Sequence, residues 1–471
     1  MMLSYDSMIA GDNPVRLLDA MCRKFLEDNP ELCSSKGKTN EGRKAYPPIV
    51  LLNLLVYGYF NGISTSRKLE KETHRNIEVI WLTEGLRPDH WTICEFRREN
   101  GKAVKAFLKT FRRFLKDQSY ISGDKIVFDG SKIKAYASRE MLTENGIIKK
   151  LENIDQALSG YLKTMEEIDS LEDKDEKLRQ EIEELKKNIE KMESLKKSLD
   201  ETNETLKRKQ LKRIAPNDPE AVLVKGRNGK FAGYNLQIGV DSKNHFIVSN
   251  HVTTDTNDRN QLGECVREAV SQLGTAPREA IADKGYANFK DILYLEEQGT
   301  ECFVPVPVSE REKNEADGLV FTYDKDSDSY TCPEGKPLNL IAKNIEAAGS
   351  LYNKYKCKEC SSCPVREKCT TSKTGRTIKR NVDQELIDNY KTKLKEDRSK
   401  KAIRERKGIV EHPFGTIKTL MGKSELVLCG KEKAIIELDL YIMAYNMKRL
   451  QNLDKTKLLI QKVTGYNWKA A

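Results

Sequence analysis

The hydrophobic pattern of residues 1–120 predicts helices and no strands. Apolar residues recur three and four apart over residues 15–25, directly after Asn13 and Pro14, as expected of an amphipathic helix that opens on a proline. The strongly apolar run at residues 49–60 is too short to cross a membrane and predicts a core helix. The N-terminal part is therefore predicted to be an all-α domain.

Two further helix starts follow in this part. Residues 62–67 indicate a turn, a serine or threonine cap and a helix that includes Arg67, and Asp89 caps another helix that carries Arg97 and Arg98. A helix, a tight turn and a second helix with a basic face are typical of helix-turn-helix DNA-binding proteins. A plain helical bundle fits the same pattern equally well.

From about residue 141 to residue 213 the pattern changes to a heptad repeat rich in Glu and Lys. Residues 172–176 are all charged and divide the repeat into two halves. An antiparallel helical hairpin is the first interpretation, and one long helix that forms a coiled coil with a second protomer is the alternative. The apolar positions of the two halves are Leu151, Ile154, Leu158, Leu162, Met165 and Ile168, then Leu178, Ile182, Leu185, Ile189 and Met192.

Outside this insertion, strands alternate with helices from residue 126 onwards. The polar turn around Ser242 and Lys243 separates two apolar stretches and predicts a β-hairpin. The alternation favours an α/β fold, with a central mixed sheet and helices on its faces. The predicted elements are strands at 126–128, 231–241, 245–252, 280–282 and 302–306, and helices at 261–273 and 288–298.

Composition and charge limit the classes of protein to which this chain can belong. The chain has 471 residues, of which 38% are hydrophobic and 33% charged, and its net charge is +10. This length predicts more than one domain, and the positive charge favours a polyanionic partner. No apolar run is long enough for a bilayer, and the N-terminus lacks the pattern of a secretory signal. A cytoplasmic protein without a membrane partner is expected.

The cysteines are clustered rather than spread evenly. Five of the 11 cysteines lie between residues 332 and 369, at the short spacings that let thiolates close around one zinc ion. Tetrahedral zinc needs only four ligands, so one of the five is spare, and the spacing does not decide which. Free reduced thiols are the alternative. The candidate zinc ligands are Cys332, Cys357, Cys360, Cys363 and Cys369.

Three acidic residues stand out by their surroundings. Asp129 and Asp283 each end a short apolar run, and Glu411 lies in a basic, helix-like stretch. A carboxylate at the end of a buried strand is costly unless it is paired or binds metal. Three such groups suit two Mg²⁺ or Mn²⁺ ions that activate a water or hydroxyl towards a phosphodiester. Asp255 and Asp258, which follow the predicted hairpin, are interpreted as turn and cap residues instead.

The residues around these acids resemble the DDE transposases of bacterial insertion sequences, in the group with a helical N-terminal domain and an RNase H-like catalytic domain. The resemblance covers most of the chain outside the heptad insertion. It is carried by Phe128-Asp129-Gly130-Ser131-Lys132, Gly233-Tyr234-Asn235-Leu236-Gln237, Ala282-Asp283-Lys284-Gly285-Tyr286 and the stretch from Val410 to Lys418, together with Pro47-Pro48, Ser64-Thr65-Ser66-Arg67 and the segment from Arg87 to Arg97.

The resemblance implies metal-dependent cleavage of DNA and strand transfer, with Asp129, Asp283 and Glu411 as metal ligands. In such families a Tyr, an Arg and a Lys accompany the Glu on its helix. Lys418 fits the downstream Lys, whereas Lys407 stands where Arg is usual and Arg404 where Tyr is usual, with Arg406 adjacent. The expected DNA-binding residues are Lys418, Lys407, Arg406, Arg404, Arg67, Arg97 and Arg98.

The resemblance also implies partners and a division into domains. The expected partners are double-stranded DNA, namely the terminal inverted repeats and the target, and a second copy of the chain on that DNA, in a bacterial nucleoid. A DNA-binding relic of the same fold, a nuclease without strand transfer and a structural coiled-coil protein are the rivals. The expected domains are a helical DNA-binding domain (1–120), a catalytic core (121–140 and 214–308), the heptad insertion (141–213), a zinc-binding insertion (309–380), the Glu411 helix with C-terminal helices (381–455) and a tail (456–471).

Overall fold

The computed structural model describes residues 5–34, 45–136, 141–169, 176–226, 229–347, 350–422 and 425–470. They divide into two compact units. Unit 1 comprises Met1–Ser122, Gly130–Asn257 and Glu411–Ala471. Unit 2 comprises Gly123–Asp129 and Asp258–Val410. The chain is mixed α/β, as the alternating pattern predicts.

The N-terminal part of unit 1 is helical. Asn13 caps the first helix by accepting a hydrogen bond from Val15 N, and Pro14 is its first residue, as the sequence indicates. The second helix is buried at every position from Val50 to Phe60, which explains its unbroken apolar run. The six helices are α1 (Pro14–Asp28), α2 (Pro48–Phe60), α3 (Ser66–Arg75), α4 (Ile77–Leu82), α5 (His90–Glu99) and α6 (Gly101–Asp117).

Strand β1 (Lys125–Lys134) belongs to both units, because the boundary falls between Asp129 and Gly130. In unit 1 the central strand is β3 (Gly229–Asp241), which pairs antiparallel with β2 (Val222–Gly226) and with β4 (Ile247–Thr253) and neighbours β1. The pairing of β3 with β4 confirms the predicted hairpin.

The heptad segment forms two helices, α7 (Glu144–Asp169) and α8 (Glu176–Arg208). Lys196 pairs with Asp155 at 2.6 Å and Lys207 with Glu144 at 3.2 Å, so the two helices run antiparallel. The predicted break at residues 172–176 lies outside the described residues except for Glu176. A buried apolar cluster of this insertion and the residue after it consists of Leu142, Ile147, Ile154, Leu199, Leu206 and Ile214.

Unit 2 contains the parallel strands of the sheet. The first half of β1 pairs in parallel with β5 (Glu279–Ile281), and β5 pairs in parallel with β6 (Glu301–Phe303). Helix α9 (Leu262–Leu273) precedes β5, and helix α10 (Phe289–Glu297) connects β5 to β6. These elements confirm the predicted strand and helix order, although β6 is shorter than the apolar run at 302–306 suggests.

The cysteine-rich segment of unit 2 contains a second sheet, which the sequence reasoning did not anticipate. Its five antiparallel strands have the order β11-β10-β9-β8-β7 and enclose a small apolar core around Tyr330, Leu338 and Tyr355. The elements are α11 (Glu310–Ala316), β7 (Thr322–Asp324), β8 (Ser329–Thr331), β9 (Pro337–Ala347), β10 (Ser350–Cys357), α12 (Arg366–Cys369), β11 (Thr377–Asn381) and α13 (Gln384–Lys393).

Three helices complete the chain: α14 (Asp397–Met421), α15 (Lys431–Gln451) and α16 (Thr456–Thr464). Residues up to Val410 of α14 belong to unit 2 and those from Glu411 onwards to unit 1. Helix α15 is buried along most of its length and forms a core helix of unit 1. Among the described residues, no helix combines the length and apolarity needed to cross a membrane.

Candidate active site

Asp129 on β1 and Asp283 just after β5 lie at the same level of two neighbouring parallel strands. Val127 of β1 lies opposite Ile281 of β5, and each Asp follows its strand partner by two residues. Adjacent strands are only about 4.8 Å apart. Ile126, Val127 and Phe128 are fully buried, whereas the side chain of Asp129 is 22% exposed. The structure therefore brings two of the three predicted acids to neighbouring positions, Asp129 within β1 and Asp283 just after β5.

The loop after β5 lies beside a third carboxylate, that of Asp258. Asp283 Oδ1 accepts a hydrogen bond of 2.7 Å from Gly285 N. A β-carbon at Gly285 would lie 2.9 Å from Asp283 Oδ1 and 3.7 Å from Asp258 Oδ2, so both carboxylates approach the same point. Asp258, interpreted from sequence as a turn residue, therefore faces the Asp283 loop. In the sequence, only its position in the connection between β4 and α9 distinguishes it.

The phenol of Tyr286 lies among the same carboxylates. Burial raises the pKa of the Tyr286 hydroxyl well above its usual range, and the charges of Cys265, Asp258, Asp129 and Asp283 raise it further. Tyr286 therefore stays protonated and can donate a proton to a hydrogen bond but cannot serve as a base at neutral pH. The Tyr286 side chain therefore adds no charge beside these carboxylates.

Among the basic residues of α14, Arg406 is the one that faces Asp129 within unit 2. Arg406 Nη1 lies 3.6 Å from Asp129 Oδ1, and the Arg406 side chain is only 19% exposed. Nη1 is buried and makes no hydrogen bond in the described part of the chain. Arg404 and Lys407, the residues at the two family positions, are exposed. The guanidinium nearest the carboxylates thus comes from the position next to the expected one.

Glu411 lies on the part of α14 that belongs to unit 1 and is exposed. Lys418 follows seven residues later, which places it two turns further along nearly the same side of the helix. The Lys418 ammonium lies 5.9 Å from the centroid of the Phe414 ring, and the His412 ring lies 6.0 Å from that of Tyr445. Glu411 and Lys418 are therefore both on an accessible helix.

The structure corrects the expectation for Arg97. This residue is 3% exposed, and its Nη1 donates hydrogen bonds to Tyr59 Oη at 3.0 Å and to Ser64 O at 2.7 Å. It cannot contact DNA in this state, because position 97 continues the core-facing side of α5 formed by Ile93 and Phe96. That spacing is the sequence signal for its burial. Arg98 and Arg67 are exposed.

The cysteines of unit 2 share one region but do not form a closed ligand set. Cys332 Sγ accepts a hydrogen bond from Lys336 N and Cys360 Sγ one from Arg376 N, both at 3.3 Å. Cys357 is buried in the core of the second sheet, and Cys332, Cys360 and Cys369 pack against that core. Burial raises the pKa of the Cys357 thiol to about 11 and also raises the pKa of Cys369. Without a cation the Cys357 and Cys369 thiols are protonated at neutral pH.

The donor atoms in these two regions suit a divalent metal and zinc, but, as far as the structure describes the chain, their arrangement does not form a closed site for either. The carboxylates suit Mg²⁺ or Mn²⁺, and thiols that accept backbone N–H bonds suit zinc. Nevertheless, no three or more His, Cys, Asp or Glu side chains are grouped to hold a metal ion anywhere in the described residues. The protein as described therefore supplies suitable donor atoms but not a closed metal site.

Two family models match the chain. A model described as a transposase DDE domain matches residues 331–451, and one described as a transposase domain (DUF772) matches residues 3–99. The first match contains the cysteine segment and Glu411, whereas Asp129 and Asp283 lie outside both. No curated protein and no solved structure matches significantly. These two matches, at the N-terminal helices and around Glu411, support the similarity of the chain to the DDE transposases of insertion sequences.

Proposed function

We propose that the protein cleaves DNA at the ends of its insertion sequence and joins the freed 3′ ends to target DNA. The transposase family accounts for a role in transposition and for DNA binding. The observation that carries the chemical proposal is the placement of Asp129 and Asp283 at the same level of neighbouring parallel strands. Glu411, inside the matched DDE domain, is the proposed third acid.

We assign the catalytic core to the RNase H-like fold. Support comes from the strand arrangement: an antiparallel set around β3 in unit 1, and the parallel set β1, β5 and β6 in unit 2, with β1 common to both. A first acid on the shared strand and a second at the end of the parallel neighbour fit this topology. The heptad insertion follows β1, which leaves the core strands uninterrupted by it.

Asp129, Asp283 and Glu411 are the proposed ligands of two Mg²⁺ or Mn²⁺ ions, in keeping with the general use of divalent metals in the family. Bound divalent ions at such a site activate a water or hydroxyl and stabilise the leaving oxygen of a phosphodiester. The chain's own contribution is to hold the carboxylates at neighbouring strands and to keep Tyr286 neutral beside them. Asp258 lies beside the Asp283 loop, with its Oδ2 3.7 Å from the position of a β-carbon at Gly285.

The cationic side chains of α14 are proposed to hold the DNA backbone. Arg404 and Lys407 are exposed, and Arg406 carries a buried N–H group without an acceptor in the described structure, which a phosphate oxygen would satisfy. Lys418 is the corresponding cation beyond Glu411. Among the N-terminal arginines, Arg67 and Arg98 keep this role, whereas buried Arg97 does not.

Four of the five cysteines from Cys332 to Cys369 are proposed to bind a structural zinc ion. The two N–H···S bonds at Cys332 and Cys360 support this, because they hold both sulfur atoms in place within the same small region of the chain. Zinc would here displace thiol protons and fix the turns of the second sheet.

Two copies of the chain are also proposed to assemble on paired DNA ends, which light scattering of the protein with end duplexes would test.

The decisive experiment is cleavage of a supercoiled plasmid that carries the element's own ends, in Mg²⁺, Mn²⁺ or EDTA. We expect metal-dependent cuts at the ends by the wild type and none by Asp129→Asn, Asp283→Asn or Glu411→Gln. Asp124→Asn is the matched control, since Asp124 is an exposed acid one residue before β1 and pairs with Arg278 at the surface.

Three outcomes separate the alternatives. Cuts at the ends followed by insertion into a second plasmid support transposition. Cuts without insertion, under conditions where pre-cut ends also fail to insert, favour a nuclease. Cuts that survive all three substitutions would refute the assignment of the site, and specific binding without any cleavage would favour a DNA-binding relic.

A further inference from the structure

One side of helix α3 is entirely basic. At about 100° per residue, the exposed residues of this helix fall within an arc of about 120°. Leu69 and Thr73 on the opposite side are buried in unit 1. Glu70 and Glu72 lie at the two margins and are less exposed. The residues in the arc are Arg67, Lys68, Lys71, His74 and Arg75.

The charge of this surface is not neutralised by neighbouring acids. Glu70 accepts a contact of 2.8 Å from His90, and Glu72 pairs with Arg75 at 2.6 Å. Both acids of the helix are thus already engaged. No ion pair involves Arg67, Lys68 or Lys71 within the described residues. Three adjacent, solvated cations therefore remain for a polyanionic partner.

The connection between α2 and α3 is the tight turn of a helix-turn-helix. Gly62 has a left-handed φ of +72°, and Ile63 N donates a hydrogen bond to Gly58 O. A β-carbon at Gly58 would lie 2.6 Å from both Ile63 O and Leu69 Cδ2, so the helices meet as closely as glycine allows. Arg97 fixes the turn further, because it donates to Ser64 O. The buried Arg97 is therefore a positioning residue for this turn.

Helix α5, the other basic candidate, lacks such a surface. Arg97 is buried, and Arg98 pairs with Glu95 at 2.6 Å and lies 3.8 Å from Glu99. The exposed side of α5 thus carries one cation beside two acids. Charge complementarity to DNA distinguishes α3 from α5, although the sequence alone shows a basic pair in both places.

We propose that α3 is the helix that reads the ends of the element, inserted in the major groove with its basic arc towards the DNA. This inference rests on the proposed function and names the surface that recognises the DNA. In helix-turn-helix proteins the N-terminal residues of the second helix reach base edges. Arg67, the second residue of α3, contacts a base, and Lys71, one turn later, contacts a phosphate.

The test is fluorescence anisotropy of the full chain with a labelled duplex that carries one end of the element, and with a scrambled duplex of the same composition. Salt titrations are made for wild type, Arg67→Ala and Lys71→Ala. Lys102→Ala with Lys105→Ala is the matched control, since both lysines are exposed on the neighbouring helix α6. Thermal unfolding verifies that each variant is folded.

Arg67→Ala is expected to weaken end binding roughly fivefold or more and to reduce the preference for the end over the scrambled duplex. Lys71→Ala is expected to weaken both duplexes alike and to lower the salt slope by about one. The control is expected to keep the wild-type end preference.

Two results would overturn the inference in different ways. If the wild type prefers its ends but Arg67→Ala and Lys71→Ala match the Lys102/Lys105 control, another surface reads the DNA and the proposed function still stands. If the wild type shows no preference for its ends in binding or cleavage, the proposed function fails as well. A loss of preference in Arg98→Ala alone would assign the reading to α5.

Discussion

Arg406 Nη1 lies 3.6 Å from Asp129 Oδ1, so an internal cation lies beside the first proposed metal ligand. A positive charge at this distance weakens the attraction of the carboxylate for a divalent ion. We expect Arg406→Gln to bind Mn²⁺ roughly tenfold more tightly than the wild type, about 1.4 kcal/mol. Binding is measured by electron paramagnetic resonance of free Mn²⁺, without DNA.

Arg404→Gln is the control, because Arg404 is an exposed cation on the same helix. Equal or weaker Mn²⁺ binding by Arg406→Gln would show that the guanidinium does not compete with the metal. Asp129→Asn is expected to abolish the effect of the Arg406 substitution.

A buried carboxylate in unit 1 predicts a pH-dependent stability. Burial raises the pKa of Glu437 to about 7, although hydrogen bonds from Val427 N and Leu428 N and the charge of Arg97 oppose the rise. The unfolded value is about 4.3. The folded chain therefore holds this proton more firmly, and the stability contributed by Glu437 falls as pH rises from about 4 to about 7, by on the order of 3 kcal/mol.

Glu437→Gln removes this titration. We expect the melting temperature of the variant, relative to wild type, to be higher at pH 8 than at pH 5. Glu432→Gln, an exposed acid on the same helix α15, is expected to show no such trend. A pH-independent difference between Glu437→Gln and the wild type would contradict the assignment.

The close approach of α2 and α3 predicts a large effect of a single methyl group. Gly58→Ala would set a β-carbon 2.6 Å from the backbone oxygen of Ile63, which cannot move without opening the turn. We expect a loss of about 1–3 kcal/mol and a lower melting temperature. Gly160→Ala in α7, where a β-carbon meets nothing within 4 Å, is expected to be neutral or stabilising by up to about 1 kcal/mol.

The cysteine cluster predicts which thiol is spare. Cys369 packs against the core of the second sheet together with Cys332 and Cys360, whereas Cys363 does not. We expect Cys369→Ser to lose zinc and Cys363→Ser to retain about one equivalent, as measured by elemental analysis of purified protein. Retention by Cys369→Ser with loss by Cys363→Ser would reverse the assignment, and no zinc in the wild type would refute the site.

The sequence predicts well where one periodicity decides the structure. The unbroken apolar run of α2 matches a helix buried at every position from Val50 to Phe60. The alternation in β3 and β4 and the heptads of α7 and α8 likewise match elements that the structure has. The strands before Asp129 and Asp283 were predictable because each is a short apolar run that ends in an acid. Their roles in metal binding remain predictions.

Pairings that depend on tertiary contacts were not predictable. Arg97 and Arg98 are adjacent and chemically identical, and the spacing of Arg97 from Ile93 and Phe96 indicates its burial only once the core-facing side of α5 is known. Arg406 faces Asp129 because of the rotation of α14, which the family positions 404 and 407 do not reveal. The second sheet was missed because its strands are largely polar and three of them, β7, β8 and β11, have at most 5 residues, so their pairing depends on distant neighbours.

The turn between α2 and α3 contacts α14, and this contact bears on how far from the recognised sequence the DNA is cut. A β-carbon at Gly62 would lie 3.2 Å from Leu420 O, so the turn before α3 touches the end of the helix that carries Glu411. If α3 reads the ends, this contact fixes the distance between the reading helix and Glu411 within unit 1. The number of base pairs between the recognised sequence and the broken bond is then a property of the protein. One base pair inserted there should move the cut by one position along the element and leave the spacing from the recognised sequence unchanged.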